Sequence, residues 1–371
     1  MRPAHIYLHI PFCARRCSYC DFAIAVRKVV PVDEYLSAVE HELDLRFAGA
    51  DPWLVKTLYF GGGTPSRLGG DGITRLMSIF RSRIQLERDA EVTLEANPDD
   101  VTETDASAWR AAGINRISLG AQSFDDKALK WMHRVHDSAA IPTAFSTLRR
   151  AGFDDISLDL IFSLPAALER DWRQDLRLAV ELQPNHVSLY GLTVEQHAPL
   201  GRWVARGEEV EAPEENYESE FLLADTMLTA AGFEHYEVSN FAKPGHRARH
   251  NFSYWLGVPY AGLGPGAHEF DPPTRRWNVG SYVEWVRRVG QGLDPREGHE
   301  ALTPENLVAE KAYLGLRTVD GLEISSSEAP AVARWIDAGW ARLVGLRLTL
   351  TPMGWMRLDT LAADLTLLRS R

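Results

Sequence analysis

Cysteine is scarce in this sequence: its 371 residues include three, Cys13, Cys17 and Cys20, and none beyond position 20. An odd number of thiols in one short stretch cannot make a disulfide framework, because one would stay unpaired; metal or redox chemistry is what remains. No run of roughly eighteen apolar residues occurs, and the start, MRPAHIYLHIPF, has no apolar stretch ahead of a small-residue cleavage site. Neither a transmembrane segment nor a secretory signal is predicted, and the expected location is cytoplasmic. Blocks of lysine and arginine are also missing. Forty basic against 51 acidic residues give a net charge of -11, a poor match to a run of phosphates, so no nucleic acid partner is expected. The glycines of GGGTPS at 61–66 have no GK[ST] after them, which removes the P-loop reading.

What recurs is a short β-branched or aromatic run followed by an amphipathic stretch. HIYLHI at 5, TLYF at 57, EVTLE at 91, INRISL at 114, DISLDLIF at 155 and HVSLY at 186 read as strands. After the first, VDEYLSAVEHELDLRFAG sets Val32, Leu36, Val39, Leu43 and Phe47 on one helical stripe, with Gly49 placed to close the C-terminus. Further helices are expected to begin near 71, 103, 138, 168 and 214. Repeated strand-then-helix order predicts parallel strands joined by right-handed crossovers, and an α/β, incomplete (βα)6 barrel is expected over residues 1–240. Its chemistry should sit at the C-terminal rim of the strands, where the βα loops meet. Polar residues do gather there: GGGTPS follows TLYF, EVTLE ends on Glu95, and Gln122 lies just past ISLGA. Asp159, alternating with Leu158 and Leu160, should point inward, where a bare carboxylate is costly without a partner. A buried structural network is the other reading of any one of these; their shared rim favours a ligand.

The thiols follow the first strand as C-x3-C-x2-C. Zinc would need a fourth ligand, for which His9 or Asp21 stands near, whereas an iron-sulfur cubane on three thiolates keeps one iron open to a non-protein ligand. The cubane is the preferred reading. With Tyr19 just before the last thiol, and with GGGTPS behind it, this segment resembles the radical S-adenosylmethionine (SAM) superfamily signature and its glycine-rich SAM loop. That resemblance implies a [4Fe-4S] cluster whose open iron is chelated by the amino and carboxylate groups of SAM, and whose electron cleaves SAM to methionine and a 5'-deoxyadenosyl radical.

The blocks YLHIPFC, FGGGTPS, LEANP, LGAQSF, RVH and DLIFSLP are similar, in the same order, to those of the anaerobic coproporphyrinogen oxidase group. By that resemblance Tyr7, Gly62, Gly63, Thr64, Glu95, Gln122, Arg134 and Asp159 would surround SAM, with Arg134 suited to a carboxylate. The group has an enzymatic branch, which decarboxylates two propionates of coproporphyrinogen III to vinyls, and a branch of heme chaperones. The oxidase pattern adds a cysteine where this chain has Phe22, and an N-terminal extension where this chain starts its first strand at about residue 5. HNFSYW at 250–255 instead resembles the HNxxYW mark of the heme chaperones. The resemblance implies heme as a ligand, heme-accepting apoproteins as partners, and an electron donor such as a flavodoxin or ferredoxin. His250 is the expected heme ligand through a neutral imidazole, and Tyr254 and Trp255 offer flat faces to a porphyrin. No residue is assigned a catalytic role.

GLGPGAH at 262–268 lacks the βαβ context of a dinucleotide fingerprint and reads as a tight turn lining the porphyrin or SAM cavity, with His268 a lesser ligand candidate. His133, His136, His186, His197 and His246 show no ligand spacing and are expected to be structural or at the surface. Residues 241–300 are expected to form an extension carrying HNFSYW. From 301 to 371 a helix opened by Thr303 and Pro304, a second after the serines at 325–327, strands near ARLVG and LRLTL, and a helix after Pro352 resemble the small winged-helix-like C-terminal domain of the same group. Its low basic density suits an interaction or cavity-covering role.

Overall fold

The computed structural model describes residues 2–49 and 53–369. All six expected strands form: β1 (His5–Ile10), β2 (Trp53–Gly62), β3 (Ile84–Ala96), β4 (Arg116–Gln122), β5 (Asp155–Phe162) and β6 (His186–Gly191). They pair in parallel in chain order. A helix follows each: α1 (Val32–Phe47), α2 (Gly69–Arg81), α3 (Glu103–Ala112), α4 (Ala140–Arg150), α5 (Trp172–Glu181) and α6 (Glu214–Ala230). Three further strands, β7 (Glu234–Glu237), β8 (Asn240–Ala242) and β9 (Ala261–Leu263), extend the sheet to the order β9-β1-β2-β3-β4-β5-β6-β8-β7. β9 is parallel to β1, whereas at the other end β8 pairs antiparallel with both β6 and β7. Among the described residues no ladder joins β9 to β7, so the barrel is open.

Side-chain alternation sorts the strands into two faces. Ile6, Leu8 and Ile10, Leu58 and Phe60, Val92 and Leu94, Ile117 and Leu119, and Leu158 and Leu160 are buried in the main apolar core, each worth about 1.5–3 kcal/mol of transfer free energy as an upper estimate. The opposite face is polar. Tyr59, Glu95, Ser118 and Asp159 meet inside the barrel through side-chain hydrogen bonds. This arrangement inverts the usual filled barrel and leaves a polar interior whose groups need partners.

Helix α1 buries Leu36, Val39 and Leu43 as its periodicity predicts. It ends at Phe47 with Ala48 extended, so Gly49 is not the cap expected of it. Between the stripe residues lies fully buried Glu42, which accepts hydrogen bonds from Gly264 N at 2.8 Å, Asn278 Nδ2 at 2.7 Å, Trp285 Nε1 at 2.9 Å and Arg46 Nη1 at 2.6 Å. These bonds fasten the GLGPGAH turn to α1. The turn leads into a second, antiparallel sheet of β10 (His268–Asp271), β11 (Thr274–Asn278) and β12 (Arg296–Ala301).

The barrel sheet continues past residue 240: β8 begins there, and the edge strand β9 pairs with β1. The C-terminal unit comprises α9 (Pro304–Arg317), β13 (Leu322–Glu323), α10 (Ala329–Asp337), β14 (Ala341–Val344), β15 (Arg347–Leu350) and α11 (Leu358–Arg369), with α7 (Arg249–Trp255) and α8 (Tyr282–Gly290) preceding it. Strand β13, absent from the sequence reading, pairs with β15. Thr303 and Asn306 form a reciprocal capping box at the start of α9. The unit closes the β7 edge through a Glu237–Thr318 bridge and a buried Arg317 Nε to Glu237 Oε2 ion pair at 2.8 Å, and its core is continuous with the barrel's.

Candidate functional site

At the C-terminal rim a cavity of about 390 Å3 is bounded on one side by the segment between β1 and α1 and on the other by the ends of β2 to β6. Cys13, Cys17 and Cys20 are free thiols on its wall. A continuous chain of contacts links two of them: Thr64 Oγ1 donates to Cys13 Sγ at 3.6 Å, Asn97 Nδ2 to Thr64 Oγ1 at 3.4 Å, Arg134 Nη2 to Asn97 Oδ1 at 2.5 Å, and Arg134 Nη1 to Cys17 Sγ at 3.6 Å. The loop itself is pinned by Ser18 N to Met132 O at 3.2 Å and Leu200 N to Ser18 O at 2.8 Å. Burial pushes the Cys13 thiol up and Cys20 to about 11, so metal binding there would displace protons. Among the described residues no three of His, Cys, Asp and Glu converge as one ion would require; thiolates of a cubane each bind a different iron and have no need to.

Opposite the thiols stand two carboxylates. Glu95, at the end of β3, accepts from Tyr59 Oη at 2.7 Å and from Gly62 N at 3.0 Å. Burial raises it to about 7 against the pull of the Tyr59 bond, and nearby Asp159 adds to the rise. Asp159 is itself raised by burial, although Ser118 Oγ donates to both its oxygens at 3.0 and 2.9 Å. Between them the cavity offers cation-seeking oxygens on one wall and, on Arg134, a buried Nε with no hydrogen-bond partner among the described residues. An unpartnered guanidinium nitrogen beside three thiols, facing carboxylates, fits a ligand that carries both an amino and a carboxylate group.

Tyr19, Gly62, Gly63, Thr64, Glu95, Gln122, Arg134 and Asp159 all line this cavity. Gln122 does so from a left-handed backbone, φ 66°, where β4 ends. The glycines have a reason other than ligand approach: a Cβ on Gly62 would lie 2.6 Å from the His9 ring, and one on Gly63 2.7 Å from the Pro11 backbone. Asn97 and Ser118 belong to the same wall and were missed in the sequence. Asn97 lies two residues after the LEANP glutamate and Ser118 two residues before Gly120, so the period-two alternation that turns Asp159 inward would have found Ser118.

Tyr7 is not part of the thiol cavity's lining: its ring stacks on Tyr59 at 6.0 Å, and it lines a second cleft of about 590 Å3. That cleft is walled by the rings of Tyr7, Phe22, Tyr254, Tyr260, His268 and Trp277, and it shares Asp21 and Phe22 with the thiol cavity. Phe22, 60% exposed, is part of the partition between them. His9 also faces the second cleft, with Nδ1 bonded to Tyr7 Oη at 3.0 Å and Nε2 to Ala23 O at 2.8 Å, which removes it as a fourth ligand to the thiols.

His250 stands in a buried hydrogen-bond network. Its ring is buried, with 1% of the residue exposed, and is stacked on Tyr59 at 5.0 Å; Nδ1 is bonded to Thr57 Oγ1 and Nε2 to Tyr254 Oη, both at 2.7 Å. Burial holds it down at about 3. It is neutral as a ligand should be, but neither nitrogen is free. The HNFSYW segment is short helix α7, started by Glu91, which accepts from Arg249 N at 2.9 Å and His250 N at 2.8 Å; the segment reaches the cleft through Tyr254.

A family model described as the radical SAM superfamily matches residues 7–179. The chain is 36% identical over 370 residues to heme chaperone HemW of Mycobacterium tuberculosis, covering 98% of this chain and 95% of that protein. It is 36% identical over 318 residues to heme chaperone HemW of Bacillus subtilis, covering 85% and 84%, and 39% identical over 267 residues to that of Escherichia coli, covering 72% and 70%. Among solved structures, coproporphyrinogen III oxidase (HemN) from Escherichia coli superposes with a TM-score of 0.82 at 22% identity, over 98% of this chain and 90% of that one.

Proposed function

The chain belongs to the heme chaperone HemW family within the radical SAM superfamily, and from that premise we infer that it binds heme and hands it to apoproteins. In this reading Cys13, Cys17 and Cys20 hold a [4Fe-4S] cluster, and SAM lies against Glu95, Asp159 and Arg134. When bound, the cluster supplies an open iron for chelation and a one-electron donor; a flavodoxin or ferredoxin is the class of protein that would recharge it. Arg134 orients a carboxylate while its contact with Cys17 keeps the thiol loop in register. Glu95 and Asp159 receive cationic or hydroxyl groups, and the partition at Phe22 keeps the cavity apart from the second cleft. Among the described residues no helix is long and apolar enough to cross a membrane.

The observation that supports this reading most is the meeting of three thiols, an unpartnered arginine nitrogen and two carboxylates in one cavity, with an aromatic cleft next door. The oxidase fold is shared, but Phe22 occupies the position of the further cysteine in the oxidase pattern. Anaerobic incubation with SAM, reductant and either heme or coproporphyrinogen III tests it. Stable heme uptake followed by release to a heme-free acceptor is expected. Vinyl product with carbon dioxide release, and no stable heme uptake, would establish the oxidase instead.

A further inference from the structure

A flat tetrapyrrole needs aromatic faces, a ligand for its iron and a cation for its propionates. The thiol cavity offers thiols and carboxylates, which suit a cluster and SAM. The second cleft offers aromatic rings and an imidazole; its own charged side chains are Asp21 and Glu297, so the cation has to come from Arg275 on strand β11, outside the lining. We propose that heme seats in this cleft with His268 as its axial iron ligand, the imidazole backed by the stacked Trp277 ring, and with Tyr254 and Tyr260 of the far wall beside the porphyrin. The proposal rests on the heme-binding reading above and adds to it a place and a ligand.

His268 and Trp277 are direct partners in the antiparallel β10–β11 ladder, so both side chains leave the sheet on one face. Their rings stack with centroids 5.8 Å apart, and both line the cleft. His268 is exposed, and among the described residues its ring nitrogens have no hydrogen-bond partner, in contrast to His9 and His250, whose nitrogens are all engaged. Arg275 lies two residues before Trp277 on the same strand face and half-exposed, paired with Glu310 at 2.5 Å. It is the cation a propionate would recruit.

The far wall explains the HNFSYW segment. Tyr254 meets Tyr260 edge to face at 4.6 Å and is held from behind by His250. His250 is therefore a positioning residue, which fixes a wall of the seat, while His268 reaches the iron. Phe22 borders the same space, so heme would lie one residue's thickness from the loop that ends in Cys20.

Ferric heme titrated anaerobically into the full chain with its cluster reconstituted, and followed by the Soret band, tests the seat. His268→Ala should weaken binding about tenfold or more and remove the imidazole-ligated spectrum, with free imidazole restoring it. His268→Cys should move the band toward that of a thiolate-ligated heme, His197→Ala should change nothing, and cluster absorbance should persist in all three. A His268→Ala protein with wild-type affinity and spectrum would overturn the seat while leaving the heme-binding reading standing. A wild-type chain that takes up no heme would remove that reading, and the seat with it.

Discussion

Replacing Glu95 by glutamine should make stability less sensitive to pH in one direction that the structure specifies. The folded-state value of about 7 stands above the 4.5 of an exposed glutamate because a charge inside the barrel is poorly solvated. Below 4.5 the group is protonated in both states and contributes no difference. As pH rises from 4.5 to about 7 the unfolded chain ionises while the folded chain keeps its proton, so the wild type loses stability, reaching a penalty of about 3 kcal/mol above that range. Glu95→Gln cannot ionise and lacks that slope. The hydrogen bond it forfeits to Tyr59 Oη or Gly62 N is absent at every pH and cancels in the comparison. Urea unfolding of the apoprotein at about pH 5 and about pH 8 should therefore show the variant gaining about 3 kcal/mol on the wild type at the higher pH. Cationic SAM placed beside Glu95 should also draw off its proton, so binding near neutral pH should show a buffer-dependent heat that the variant lacks. A relative change below about 1 kcal/mol between the two pH values would refute a protonated Glu95 and the poorly solvated interior behind it.

Serine in place of Cys13, Cys17 or Cys20 should abolish the broad iron-sulfur absorbance of anaerobically reconstituted protein in each case; an intact cubane in any of the three would disprove the ligand set. His250→Ala strands the Tyr254 hydroxyl and leaves a hole beside Tyr59, costing roughly 2–4 kcal/mol in urea unfolding. The same variant should weaken heme binding without removing the cluster, and by less than His268→Ala does. An equal or larger loss, with the imidazole spectrum gone, would return the iron to His250.

The parts of the site legible in the sequence are those that local rules decide. Alternation along DISLDLIF sends Asp159 inward whatever surrounds it, since neighbouring strand residues face opposite ways, and the same rule accounts for the buried outward row from Ile6 to Leu160. Strand and helix recurrence predicts the six βα units, because each strand needs a covering helix and parallel pairing needs a crossover. Local rules are silent on Glu42, which a helical pattern leaves as one polar residue among many. It is buried only because the turn after β9, Asn278 and Trp285 all bring donors to it.

The chain order by itself determined that three thiols lie on one loop after the first strand, and that acidic and amide side chains end the strands that follow; spacing and period are properties of neighbours along the backbone. Which groups share a cavity was decided only in three dimensions. Tyr7 alternates inward as Glu95 does, yet faces the other cleft because β9 lies beside β1 and carries the GLGPGAH turn and β10 with it. The sequence favours His250 over His268 as the ligand, and packing treats them differently: α7 presses the first ring between Thr57, Tyr59 and Tyr254, while the β10–β11 ladder holds the second out in the open. Access to a histidine nitrogen depends on contacts between segments far apart in the chain, and those contacts exist only once the sheet has formed.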